Sequence, residues 1–222
     1  MMFLFTDRFD AGRYLATRLG HYAHSPNVLV LGLPRGGVPV AYEVARALDA
    51  PLDVFLVRKL GVPGQEELAM GAIATGPVRV LNHEVIRMLR ITDDELNRAT
   101  EREMAELHRR EREYRGDRPP PQVQGRTVIL IDDGLATGAS MRAAITALRQ
   151  QDPARLVVAV PTAAADTCAE LEAHVDEIIC ATTPEPFLGV GRWYENFSQM
   201  TDAQVRELLQ RAWREQEAKV HS

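Results

Sequence analysis

Two adjacent carboxylates, Asp132 and Asp133, stand at the end of an aliphatic run and directly before a string of small and hydroxyl residues. The string reads Gly134, Leu135, Ala136, Thr137, Gly138, Ala139 and Ser140. Small residues let a phosphate come close to the backbone, and Thr137 and Ser140 add hydroxyl donors. The acid pair offers what a simple phosphate cradle lacks: acceptors for ribose hydroxyls, or ligands for a hydrated Mg²⁺ that neutralises a phosphorylated substrate. A second group lies at Leu33-Pro34-Arg35-Gly36-Gly37. Its glycines expose backbone N–H groups, and the donor fork of Arg35 matches a diphosphate. Lys59 is a third candidate; it and Lys219 are the only lysines among 26 basic residues.

These residues need elements to hold them. Residues 128–131 are read as a strand buried on both faces. An alanine-rich helix follows over 141–150. Strand, tight turn and helix N-terminus together leave unpaired amides at the positive end of a helix dipole, which is an anion site. The second group has the same setting, with an apolar strand over 27–33 and a helix over 38–48. Pro39 opens that helix, in the first turn where a missing N–H costs nothing. The run 54–57 is read as the next strand, ended by Arg58-Lys59, which places a cation at the same ligand edge. Further strands are read over 155–160 and 177–181, with a helix over 164–174 between them. None of these runs alternates apolar with polar residues, as expected for a sheet covered on both sides. The fold expected is α/β, a doubly wound, mostly parallel sheet flanked by helices.

At Val128 to Ser140 the chain resembles the type I phosphoribosyltransferases. Their signature for phosphoribosyl diphosphate (PRPP) is four apolar residues, two acids, two variable residues, a further variable position, then T-G-x-T/S. Here it runs V-I-L-I, Asp132-Asp133, Gly134-Leu135, Ala136 and Thr137-Gly138-Ala139-Ser140, with serine as the closing hydroxyl. The resemblance implies transfer of the phosphoribosyl group of PRPP to a nitrogen of a nucleobase-like acceptor, with Mg²⁺ as cofactor and pyrophosphate released. Asp132 and Asp133 would be the catalytic and metal-binding pair, directly or through water. Gly134, Leu135, Ala136, Thr137, Gly138, Ala139 and Ser140 would bind PRPP; Arg35, Gly36, Gly37 and Lys59 would bind pyrophosphate. Arg35-Gly36 is the candidate for a cis peptide in the pyrophosphate loop. Residues 61–71, punctuated by Gly61, Pro63 and Gly64, fit the flexible loop that closes over the reacting centre. Residues 184–200 resemble the hood of the purine enzymes, where an aromatic ring stacks on the base. Trp193 is the residue chosen for that, with Phe187 and Tyr194 as alternates. One departure stands out. Purine enzymes carry an Asp directly before the T-G, and here that residue is Ala136. Uracil-type members carry L-A-T-G, matched by Leu135 to Gly138. The two clues point to different bases, so the acceptor stays open. Two other readings stand beside the transferase: a PRPP- or nucleotide-binding regulator, and a phosphoribosyl hydrolase on the same fold.

The remaining chain is organised around this core. The 222 residues suit a single phosphoribosyltransferase-like domain with additions. Residues 84–124 read as a helical insertion with no place in the family pattern. Thr92 opens its long helix with a capping box, T-D-D-E, and the helix runs to about residue 114. A helix laid across the domain is the favoured reading of it, with a homodimer contact as the other. Residues 70–75 and 78–81 read as a hairpin. Residues 201–216 form a C-terminal amphipathic helix, capped by Thr201 and Gln204. Residues 3–9 read as a short edge strand or arm. A net charge of −5 and a pI near 5.7 argue against nucleic acid as a partner. There is no apolar stretch of membrane-spanning length and no basic leader at the start, so neither a membrane nor a secretory route is expected. Two cysteines, Cys168 and Cys180, have no metal-ligand spacing, and a reducing cytoplasm is the simplest compartment.

Overall fold

The computed structural model describes residues 5–76 and 78–220. In chain order the elements are α1 (Arg8–Arg18), β1 (Val28–Gly32), α2 (Gly37–Leu48), β2 (Leu52–Val54), β3 (Val57–Val62), β4 (Gln65–Ala74), β5 (Val78–Leu81), α3 (His83–Met88) and α4 (Asp93–Arg115). They continue with β6 (Thr127–Ile131), α5 (Ala139–Arg149), β7 (Arg155–Thr162), α6 (Ala165–Glu172), β8 (Glu177–Thr182) and α7 (Asp202–Val220). Single 3-10 turns lie at Gly20–Tyr22 and Val190–Trp193.

Five strands form a parallel sheet in the order β2-β1-β6-β7-β8. Their unbroken apolar runs follow from burial on both faces. Val30, Ile129, Val157 and Ala159 face a core shared with α1, α2 and α7. Leu31, Leu130, Leu156 and Val158 face the other core, shared with α5 and Leu171 of α6. From β1 the chain steps to β2 on one side; from β6 it steps to β7 and β8 on the other. The order therefore reverses between β1 and β6, and ligands of open α/β sheets bind outside the carboxyl ends at such a point. The register Gly32↔Ile131 brings those two ends level.

The second strand departs from expectation. The run 54–57 is not one strand: β2 stops at Val54, and β3 starts at Val57 in a separate antiparallel sheet, β3-β4-β5. The chain changes sheets at Phe55-Leu56. Phe55 still donates to the Gly32 carbonyl at 3.1 Å, whereas Leu56 donates to Thr75 Oγ1 at 3.0 Å. Both residues are buried, so an apolar run carries no mark of the break. Arg58 and Lys59 accordingly lie on β3 of the hairpin, not at the end of a parallel strand. The expected loop over 61–71 is also strand. Val62 pairs with Gln65 around a turn at residues 63–64, where Gly64 has φ +75°, and Gly61 lies at a register shift against β4. Its glycines and proline thus serve a tight turn and a bulge. The hairpin expected at 70–75 and 78–81 is present as β4–β5.

Helix α4 carries the expected capping box between Thr92 and Glu95. It buries Leu96, Ala99, Leu107 and Tyr114 and packs against β3, β4 and α7. At its end, Arg115 donates to Asp53 Oδ1 at 2.8 Å and to the Val54 carbonyl at 2.6 Å, fastening α4 to β2. Tyr114 donates to Asp202 Oδ1 at 2.5 Å, and Trp213 Nε1 to the Leu52 carbonyl at 2.9 Å, fastening α7 to the same region. Thr201 and Gln204 cap α7 as expected. The arm expected over 3–9 lies partly outside the described residues; from Phe5 there is one parallel bridge to Tyr194, and α1 starts at Arg8. Cys168 and Cys180 form a disulfide between α6 and β8, against the expectation of two reduced thiols. No described helix is long and apolar enough to cross a membrane.

Candidate active site

Strand β6 ends at Ile131 and delivers Asp132 and Asp133 to the switch point between β1 and β6. The Asp133 amide donates to Asp132 Oδ1 at 2.8 Å, which holds the Asp132 carboxylate against the backbone that follows it. Both are half-buried. Burial pushes the Asp132 carboxyl well above the ordinary range, and the neighbouring Asp133 charge adds to it. Burial also raises Asp133, opposed by the Arg8 guanidinium beside it. Two such carboxylates favour a cation or hydroxyl donors as neighbours.

The loop after Asp133 is held from behind. Leu135 donates to the Thr162 carbonyl at 2.9 Å, and Thr167 Oγ1 of α6 donates to the Ala136 carbonyl at 2.6 Å. Gly138, at φ +68°, caps α5, and a Cβ there would lie 2.8 Å from Thr167 Cγ2. No acceptor is found among the described residues for the amides of residues 136–140. They form an open row of donors at a helix N-terminus, while Thr137 and Ser140 are exposed.

The 34–37 loop packs directly on the acid pair. A Cβ at Gly36 would lie 2.0 Å from Asp133 Oδ2, and one at Gly37 would lie 2.6 Å from the Ile131 carbonyl. Only glycine permits this approach. The Arg35 and Gly36 amides likewise have no acceptor among the described residues. The cis peptide is Pro34–Arg35, one bond earlier than expected. Gly36 and Gly37 are thus brought to Asp133 and Asp132, with Arg35 next to them in the loop. Lys59 sits on β3, where it lines a cleft with Gly61 and Glu66; Arg58 beside it pairs with Glu103 of α4.

Val190 and Tyr194, from the segment read as a hood, close the far side. Val190 covers Gly134, where a Cβ would meet it at 2.6 Å. Tyr194 donates its hydroxyl to the Asp133 carbonyl at 2.6 Å; burial, then the Asp133 charge, raises its pKa. Trp193 and Tyr194 are 6 % and 5 % exposed, within a small apolar cluster with Phe5 and Ala11. Phe187 packs at its margin and is only partly buried. Sequence reasoning missed Arg8, which is 8 % exposed and donates from Nε to Asp133 Oδ2 at 2.7 Å. One signal was available: a basic residue opens α1, where the helix dipole favours an acid.

A model of the phosphoribosyl transferase domain matches residues 8–192, spanning both loops and the acid pair. The chain belongs to this family. As a phosphoribosyl transferase domain it is 46% identical over 214 residues to two Mycobacterium tuberculosis proteins, of strains CDC 1551 and H37Rv, provisionally named phosphoribosyl transferases. The match covers 96% of this chain and 48% of each of theirs, so the chain spans about half the length of these curated relatives. The crystal structure of TT1426 from Thermus thermophilus is 43% identical, with a TM-score of 0.82 over 93% of this chain and 97% of that one. A hypothetical protein from Neisseria gonorrhoeae, solved with ppGpp bound, shares the fold at 12% identity and a TM-score of 0.50, covering 95% of this chain and 96% of that one.

Proposed function

We propose that the protein transfers the 5-phosphoribosyl group of PRPP to a nitrogen of a nucleobase-like acceptor and releases pyrophosphate. The observation that carries this reading is the junction at β1 and β6. A carboxylate pair, an open row of amides over 136–140 and the Arg35-Gly36-Gly37 loop meet there at one sheet edge. The amide row, with Thr137 and Ser140, holds the 5-phosphate. Arg35, Gly36 and Gly37 face the diphosphate; Lys59, expected beside them, lies instead on the hairpin in a cleft with Arg58, Glu66 and Glu103. Asp132 and Asp133 position the ribose hydroxyls. As the anomeric bond breaks, charge develops on the diphosphate, and the fixed amide donors of Arg35 and Gly36 stabilise it without reorganising, while the Gly37 amide is taken by the Leu33 carbonyl at 3.0 Å.

The acid pair also fits Mg²⁺. Its donors are hard oxygens, and no cluster of three or more His, Cys, Asp or Glu suited to a metal exists among the described residues. Mg²⁺ keeps several waters and takes its other ligands from phosphates, so two carboxylates suffice. When bound with PRPP it would supply neutralising charge at the diphosphate. For the base we assign Phe187, at the margin of the hood, ahead of Trp193 and Tyr194, whose rings are committed to packing. The proposed setting is nucleotide salvage.

The test is pyrophosphate release from Mg²⁺–PRPP with a panel of purines and pyrimidines, alongside calorimetric binding of PRPP. Release that depends on one base is expected. Binding without release would favour a regulator, and release without any base a hydrolase. Absence of PRPP binding would refute the reading.

A further inference from the structure

Arg8 touches three parts of the site. Its Nε donates to Asp133 Oδ2 at 2.7 Å, and its Nη1 donates to the Ser198 carbonyl at 2.8 Å. Its guanidinium carbon lies 4.0 Å from the Phe197 ring centroid and 5.9 Å from that of Tyr194. A Cβ at Gly36 would lie 3.2 Å from Nε. Acid pair, glycine loop and hood therefore converge on one side chain. The position is unfavourable for a cation on two counts: the side chain is 9 % exposed, and it heads a helix. Stability alone gives little reason for a buried charge pair, because an apolar pair of similar volume does as well. The pairing does fix a geometry. Asp133 Oδ2 is engaged by Arg8, and Asp132 Oδ1 by the Asp133 amide.

We propose that Arg8 is a positioning residue for PRPP. It holds the Asp133 carboxylate in one orientation, so that a ligand meets Asp132 and the other oxygen of Asp133 as a preset edge. The inference rests on the PRPP reading above. It makes Arg8 act through Asp133, and that sets it apart from a merely structural contact.

The experiment is calorimetric titration of Mg²⁺–PRPP into the wild type, Arg8→Gln, Arg8→Lys, Asp133→Asn and the double variant Arg8→Gln/Asp133→Asn, each checked for folding by circular dichroism. Arg8→Gln is expected to weaken binding about tenfold, the lower end for residues that orient a ligand-holding group. Arg8→Lys restores part of that loss. In the double variant the loss of Arg8 adds less than about twofold to the loss in Asp133→Asn, as for two residues acting as one unit. Wild-type affinity in Arg8→Gln, or losses that multiply in full, overturns the proposal. Should Arg8→Gln fail to fold because Asp133 is stranded, the double variant carries no such charge, and its comparison with Asp133→Asn decides. A wild type that does not bind PRPP refutes the PRPP reading itself, and that outcome is distinct because it precedes any difference among variants.

Discussion

Asp132 is placed where ligand binding and stability oppose each other. Burial and the Asp133 charge raise its pKa in the folded state. The native protein then holds a proton more tightly than the unfolded chain, and stability falls as pH rises from the ordinary carboxylate range toward the raised value. Asp132→Asn removes that cost. The variant is expected to exceed the wild type in urea-unfolding free energy at pH 8 by about 1–2 kcal/mol, a common size for removal of a functional strain. The gap should narrow toward pH 4, and PRPP binding should be lost. Equal stability of the two proteins at every pH would refute this account. The acid pair and the hydroxyl residues after it were legible from residue types alone, since their order has no structural cause. Arg8 was not, because its partner is 125 positions away and its one local mark, a basic residue at the head of α1, does not say what it pairs with.

At the scale of elements, α4 is tied to the sheet by charge as well as by packing. Burial pushes the Asp53 carboxyl up, and Arg115 pulls it back. Arg115→Met leaves that carboxylate buried and unpaired, at an expected cost of about 3–5 kcal/mol in urea unfolding. Pairing Arg115→Met with Asp53→Leu should recover most of the loss; no recovery would mean that Arg115 acts through packing alone. The Cys168–Cys180 bridge clamps α6, whose Thr167 supports the Ala136 carbonyl. It closes a loop of 12 residues, so its reduction by a phosphine should lower stability by about 2–3 kcal/mol. An unchanged melting temperature after thiol counting confirms reduction would contradict this. Capping residues gave away the starts of α4 and α7, because those hydrogen bonds are local. The division of residues 54–57 between two sheets stayed hidden, because both sheets bury apolar side chains. The hairpin over 57–74 stayed hidden too, because Gly61, Pro63 and Gly64 suit a loose loop and a tight turn equally well.

Over the whole molecule, the site belongs to no continuous segment. The doubly wound sheet was legible because short unbroken apolar runs alternate with helical stretches along the chain, and the switch point follows once β1 pairs with β6. The disulfide was not legible, because two cysteines 12 residues apart say nothing of distance in space. The β1–β6 register has a further consequence. Roughly 95 residues separate Gly37 from Asp132. At about 5–20 residues per second on the ribosome, some 5–20 seconds pass after the glycine loop is made before its carboxylate partners exist. For that interval the nascent chain holds β1 with one long edge unpaired, the kind of surface on which strands of other chains can pair. This molecule should therefore depend on chaperones during synthesis more than its size suggests.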